Sequence, residues 1–143
     1  MNEGWLGDEY VAVFSNDESR LATEEYGLAR FLPGYEAAGL RGWDDLIVRN
    51  ILGETYTVPV VPISDQYLSR FDIRENQMTE DARFKEKVKW YVKPIAFGGD
   101  PSLSENITWV THAQHRELVV GCYFFCLLDW LAYFGGGGVL VIL

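Results

Sequence analysis

Residues 35–61 read YEAAGLRGWDDLIVRNILGETYTVPVV. Residues 35–40, 45–49 and 55–61 are three runs of apolar and β-branched residues, and each predicts a strand. Arg41-Gly42-Trp43-Asp44 and the stretch 50–54 (NILGE) carry the Gly, Asp and Asn that turns need. Connections this short join antiparallel neighbours, so the stretch predicts a meander. Pro59 has no backbone N–H to give a ladder, so it marks a strand end or an edge.

Working outward, residues 10–14 (YVAVF) predict a further short strand. Ser15 and Glu18 have the spacing of a capping box, followed by a predicted helix over 18–31 with Leu21, Tyr26, Leu28 and Phe31 as its apolar members. Pro33-Gly34 ends it. Downstream, the pattern predicts a short helix over 65–71, a polar mobile loop over 72–82, and strands at 90–97 and 106–110. A helical pattern starts at Thr111. The fold class this implies is α+β: a twisted, mainly antiparallel sheet with helices packed on it, in a single domain spanning 1–117.

The chain has 143 residues and a net charge of −9. The first 80 residues hold 15 acids against 6 bases, and the remainder is balanced. That asymmetry reads as a solubilising surface or as an acidic face for a basic partner. A sequence pI near 4.6 argues against a nucleic-acid binder, which needs clustered Lys and Arg. Arg83, Lys85, Lys87, Lys89 and Lys93 form the one basic stretch, and alternating lysines protect an edge strand from aggregation. A helix starting near Thr79 is the other reading of that stretch.

Residues 118–143 form a tail in which 20 of 26 residues are apolar. Its length suits a single-pass membrane helix, with Asp129 and Gly135–Gly138 counting against one. A buried core helix with a final strand, or an atypical ending joined to a soluble fold, are the alternatives. The N-terminus lacks the apolar stretch of a secretory signal, which predicts a cytoplasmic protein, or a membrane protein if the tail is an anchor.

No catalytic constellation emerges, and no cofactor is expected. Gly98-Gly99-Asp100 lacks the Gly-Lys-Ser/Thr of a phosphate loop. Asp44 and Asp45 are adjacent, so in a strand they point to opposite faces and cannot work as one pair, while in a turn they cap backbone amides. His112, His115, Cys122 and Cys126 are metal-ligand types, but one straight helix would spread them over about 21 Å, too far for one ion. No metal site is expected, and Cys122 and Cys126 read as small buried groups. An enzyme would need a pocket near Trp43, Trp90 and Trp109 with perturbed carboxylates. Trp43 is either an exposed interface residue in its turn or a core residue folded back under it.

The stretch 26–63 resembles the middle of the SMI1/KNR4 family, also called the SUKH superfamily. The residues that carry the resemblance are Phe31, Pro33, Gly34, Gly39, Gly42, Asp44, Asp45, Gly53 and Tyr56. It spans roughly residues 10–70. A Leu-Pro-x-x-Tyr/Phe-like opening and a closing amphipathic helix, usual in the family, are replaced here by other sequence. The resemblance implies an α+β protein-binding module, not an enzyme, of the bacterial toxin-immunity type. Its partner would be a cognate toxin, and the acidic first part suits a basic one. Trp43, Asp44, Asp45 and Glu54 are the candidate partner-binding residues. The other reading is a small membrane-anchored protein held by residues 118–143.

Overall fold

The computed structural model describes residues 1–122. Strands β1 (Asn2–Leu6), β2 (Glu9–Val13), β3 (Glu36–Arg41), β4 (Asp45–Arg49), β5 (Thr55–Pro59) and β6 (Ser69–Arg70) form one six-stranded antiparallel sheet in chain order. Helices α1 (Asn16–Glu25) and α2 (Leu28–Phe31) connect β2 to β3. Strands β7 (Val88–Tyr91) and β8 (Ile107–Val110) make a separate antiparallel ribbon, and helix α3 (112–122) follows it. The class is α+β.

The meander lies where the sequence places it. β3, β4 and β5 pair in sequence, Arg41 opposite Asp45 and Arg49 opposite Thr55, and β5 ends at Pro59. Glycine is required at position 39. A Cβ there would stand 2.1 Å from the Ala12 carbonyl oxygen, beside a register shift between Ala37 and Gly39. The capping box is also present: the Glu18 amide donates to the Ser15 hydroxyl and the Ser15 amide to the Glu18 carboxylate.

Several expectations need correction. The helix predicted over 18–31 is two helices, because Gly27 adopts φ 70° and turns the chain between them. The helix predicted over 65–71 is a single 3-10 turn, Asp65–Tyr67, and the following Ser69 and Arg70 pair with β5. Residues 72–82 are tied at their centre, where Trp5 and Thr79 exchange backbone hydrogen bonds of 2.7 and 2.9 Å. The strand predicted over 90–97 begins at Val88 and stops at Tyr91, ahead of Pro94 and a 3-10 turn at Ile95–Phe97. Strand β1 escaped the sequence reading. Its signal is the Gly7-Asp8 turn, with Gly7 at φ 66°.

Pleating sends alternate residues to opposite faces, and both faces are covered. On one, Leu40, Leu46, Val48 and Val58 pack with Ala22, Tyr26 and Leu28 from the helical connection, Val88 from β7 and Val119 from α3. On the other, Val11, Val13, Ala38 and Ile47 lie under Leu6, Phe71, Ile73 and Met78. Helix α3 starts with its own reciprocal cap between Thr111 and Gln114. It is fixed to the end of α1 by Arg116 Nε on Glu25 (2.7 Å) and by His115 Nδ1 against the Tyr26 hydroxyl (2.6 Å). It crosses the 117/118 boundary, and Val119 is fully buried in the main core.

No helix among the described residues is long and apolar enough to cross a membrane. The tail expected at 118–143, with Asp129, Cys126 and Gly135–Gly138, lies outside the described residues from 123 onward.

Candidate functional site

Strand β4 carries a turn at each end, and these two turns hold the four candidate partner-binding residues. Trp43, Asp44 and Asp45 stand together at the β3–β4 turn, while Glu54 belongs to the β4–β5 turn. At about 3.4 Å per residue the length of β4 puts roughly 17 Å between them.

At the first turn, Gly42 and Trp43 both have positive φ, 57° and 61°. Such a backbone is uncommon for a tryptophan and persists only where packing over-determines it. That packing is visible. The Trp43 ring stacks on Tyr10 at 5.1 Å and meets Trp109 edge-on at 5.1 Å, with Phe84 at 5.5 Å and Trp5 at 6.1 Å. Trp43 is therefore half-buried beneath a cap drawn from β1, β2, the 82–84 turn and β8.

The same turn forms one wall of a cavity of about 150 Å³, lined by Trp43, Asp44, Asp45, Lys89, Trp90 and His115 among others. Asp44 and Asp45 both line this cavity, Asp44 from the turn and Asp45 from the first position of β4. Asp44 sits in the turn, where the alternation of a strand does not apply. Burial raises the pKa of both carboxyls. For Asp44 the Lys89 charge opposes the rise and the Asp45 charge adds to it, and for Asp45 the Arg41 charge opposes it. Arg41 itself makes a two-pronged ion pair with Glu9.

His115 closes the inner side of the cavity. It is fully buried, and Trp90 meets its ring edge-on at 5.6 Å. Burial, then the charges of His112 and Arg116, hold its pKa down at about 3. Burial likewise raises the Tyr26 hydroxyl far above its ordinary pKa, so the phenol keeps its proton. The Tyr26 hydroxyl and His115 Nδ1 share a hydrogen bond of 2.6 Å. His115 Nε2 and the buried Trp43 Nε1 have no hydrogen-bond partner among the described residues.

The second turn is built in the opposite manner. Asn50 Oδ1 accepts from the amides of Leu52 (3.0 Å) and Glu54 (2.9 Å), and Gly53 takes φ 83°. The backbone is fixed, yet Ile51 is 94% exposed and Leu52 79% exposed. Glu54 beside them accepts from Asn50 Nδ2 (3.1 Å) and Arg70 (2.7 Å), contacts that lower its pKa. Across the strand Glu36 pairs with Arg49 at 3.0 Å. An open groove lined by Gly34, Tyr35, Glu36, Arg49 and Ile51 adjoins the tip.

Sequence reasoning missed Ile51, Leu52, Lys89 and His115 as site residues. The sign for the first two was two large aliphatics inside an Asn…Gly turn, where polar residues are the rule. Lys89 and His115 had no local sign, because they reach the cavity from β7 and α3. Among the described residues no group of three metal-ligand side chains is brought together, and Cys122 is half-buried. In comparisons with known proteins, no family model, no curated protein and no solved structure matches the chain.

Proposed function

We propose that this chain is a non-catalytic protein-binding module of the SMI1/KNR4 kind, acting in the cytoplasm as an immunity protein that captures a basic toxin. The observation that carries the reading is the tip of β4–β5: two adjacent aliphatic side chains held almost wholly in solvent on a backbone that is already fixed. Ordering a loop on binding is costly, so a preformed apolar tip favours association. Single exposed aliphatics are ordinary, whereas a pair at a rigid tip beside two carboxylates has the apolar centre and charged rim of a binding surface. The acid excess of the first 80 residues supports a basic partner, through faster encounter and rejection of acidic competitors. An antiparallel sheet backed by helices is also the fold that the resemblance implies.

The test is site-directed photo-crosslinking in cells. A photoreactive residue at 51 or 52 should trap a discrete basic protein, and one at the exposed Glu24 on α1 should not. The same product from both positions, or none from the tip, overturns the reading.

A further inference from the structure

At the opposite end of β4 the cavity already contains a recognised cation, supplied by the chain itself. Lys89 Nζ lies 5.6 Å from the Trp43 ring centroid and 5.2 Å from that of Tyr91, and Asp44, exposed to solvent, also lines the cavity. Aromatic faces and a carboxylate around one ammonium are the elements that select organic cations over neutral molecules. The rest of the wall is mainly apolar, with Pro59, Val60 and Ile95, and suits a hydrocarbon body. Of the lining residues, Trp43 Nε1–H is a buried donor and His115 Nε2 a buried ring nitrogen, and neither has a hydrogen-bond partner among the described residues. Leaving a buried polar group without a partner is costly, so an oxygen delivered there is favoured.

We propose that this cavity binds small organic ammonium compounds bearing a hydroxyl or carbonyl oxygen, and that Lys89 holds the cation position in cis until such a ligand displaces it. The aromatic faces and Asp44 take the ammonium. Trp43 Nε1–H donates to the oxygen, and His115 Nε2 hydrogen-bonds the same group. Lys89, long and tethered on β7, withdraws to solvent. This site stands apart from the β4–β5 tip and does not depend on what the tip binds.

Choline is a suitable probe, and dimethylbutanol is its neutral isostere. Binding is read by tryptophan fluorescence, since Trp43 and Trp90 line the cavity. Removing the competitor in Lys89→Met should tighten choline binding by about tenfold or more, equal to about 1.4 kcal/mol. Asp44→Asn added to that variant should remove the gain, and dimethylbutanol should not compete. Unchanged affinity in a folded Lys89→Met, or equal binding of the neutral isostere, overturns the proposal. A second measurement uses the unaltered protein. Excess choline should raise the acylation rate of Lys89 relative to Lys85, followed by mass spectrometry. A rate that choline leaves unchanged also overturns it.

Discussion

The two turns flanking β4 begin from similar chemistry and end differently. Each places glycine at positive φ and large apolar side chains at or beside the bend: Gly42 with Trp43, Gly53 with Ile51 and Leu52. Trp43 is roofed by Tyr10, Phe84 and Trp109, whereas Ile51 and Leu52 project into solvent. Turn sequence determines the backbone path in both. The fate of the side chains is decided by whether a distant segment crosses above, and β7, β8 and α3 cross only the Trp43 end. One end is consequently part of the stability of the domain, and the other is available for recognition.

Acid should break this pairing first, with the largest effect. Burial holds His112 at about pKa 4 and His115 at about 3, against 6.5 in the unfolded chain. The unfolded state therefore binds more protons below pH 6.5. Stability is full above that value and falls as pH drops through 6.5 towards 4 and 3. At about 1.4 kcal/mol per pKa unit the loss by pH 4 is on the order of several kcal/mol, a large share of a typical domain's stability. Asp44 and Asp45 work the other way, because their raised pKa values mean that protonation relieves a cost of burial, and this offsets part of the loss. Urea midpoints at pH 7, 5.5 and 4.5 should decline in that order, and His112→Gln should flatten the decline. A midpoint independent of pH would show that α3 does not brace the closed end.

Next comes a direct contrast of side chains. Trp43→Ala should cost about 3 kcal/mol, the lower end for loss of a packed tryptophan, since the ring is only half-buried. Ile51→Ala should stay within about 0.5 kcal/mol, as for an exposed residue without special contacts. Partner capture should show the reverse order. Similar stability losses for the two variants, by denaturant unfolding, would remove the distinction.

Much of this was readable in the sequence where the deciding forces are local. The β3–β5 meander, the Ser15–Glu18 cap and the strand end at Pro59 follow from residues within a few positions of one another. The break at Gly27 was missed because glycine is tolerated inside helices, and only the φ of 70° reveals its role. Strand β1 pairs with the adjacent β2 and its local sign, the Gly7-Asp8 turn, was passed over, whereas the tie between Trp5 and Thr79 was missed because the two residues lie far apart along the chain. The same holds for the candidate site. Asp44 and Asp45 were singled out, but their shared cavity depends on Lys89 and His115, which no spacing rule connects to them.

The rigidity of the open end can be tested separately. Asn50→Ala removes the side-chain acceptor of two turn amides and a contact to Glu54. The amides then turn to water, so the stability cost should be about 1 kcal/mol. Capture should weaken by more than that, because Ile51 and Leu52 must be ordered again on binding. Hydrogen exchange at Leu52 and Glu54 reports the loosening. If exchange quickens and capture is unchanged, preorganisation of the tip is not what makes it a binding surface.

The smallest effect is expected at Glu54, and it separates charge from shape at this end. Glu54 is ion-paired to Arg70 on the surface, where such pairs contribute little to folding. Glu54→Gln should leave unfolding unchanged. A rim carboxylate facing a basic partner acts on encounter, so the variant should slow association several-fold at low salt and leave dissociation alone. Near physiological ionic strength the difference should shrink, because the screening length falls to about 8 Å. Association and dissociation rates across a salt series resolve this. A change confined to dissociation would mean that Glu54 touches the partner directly, and the acidic side of the tip would then be part of the binding surface itself.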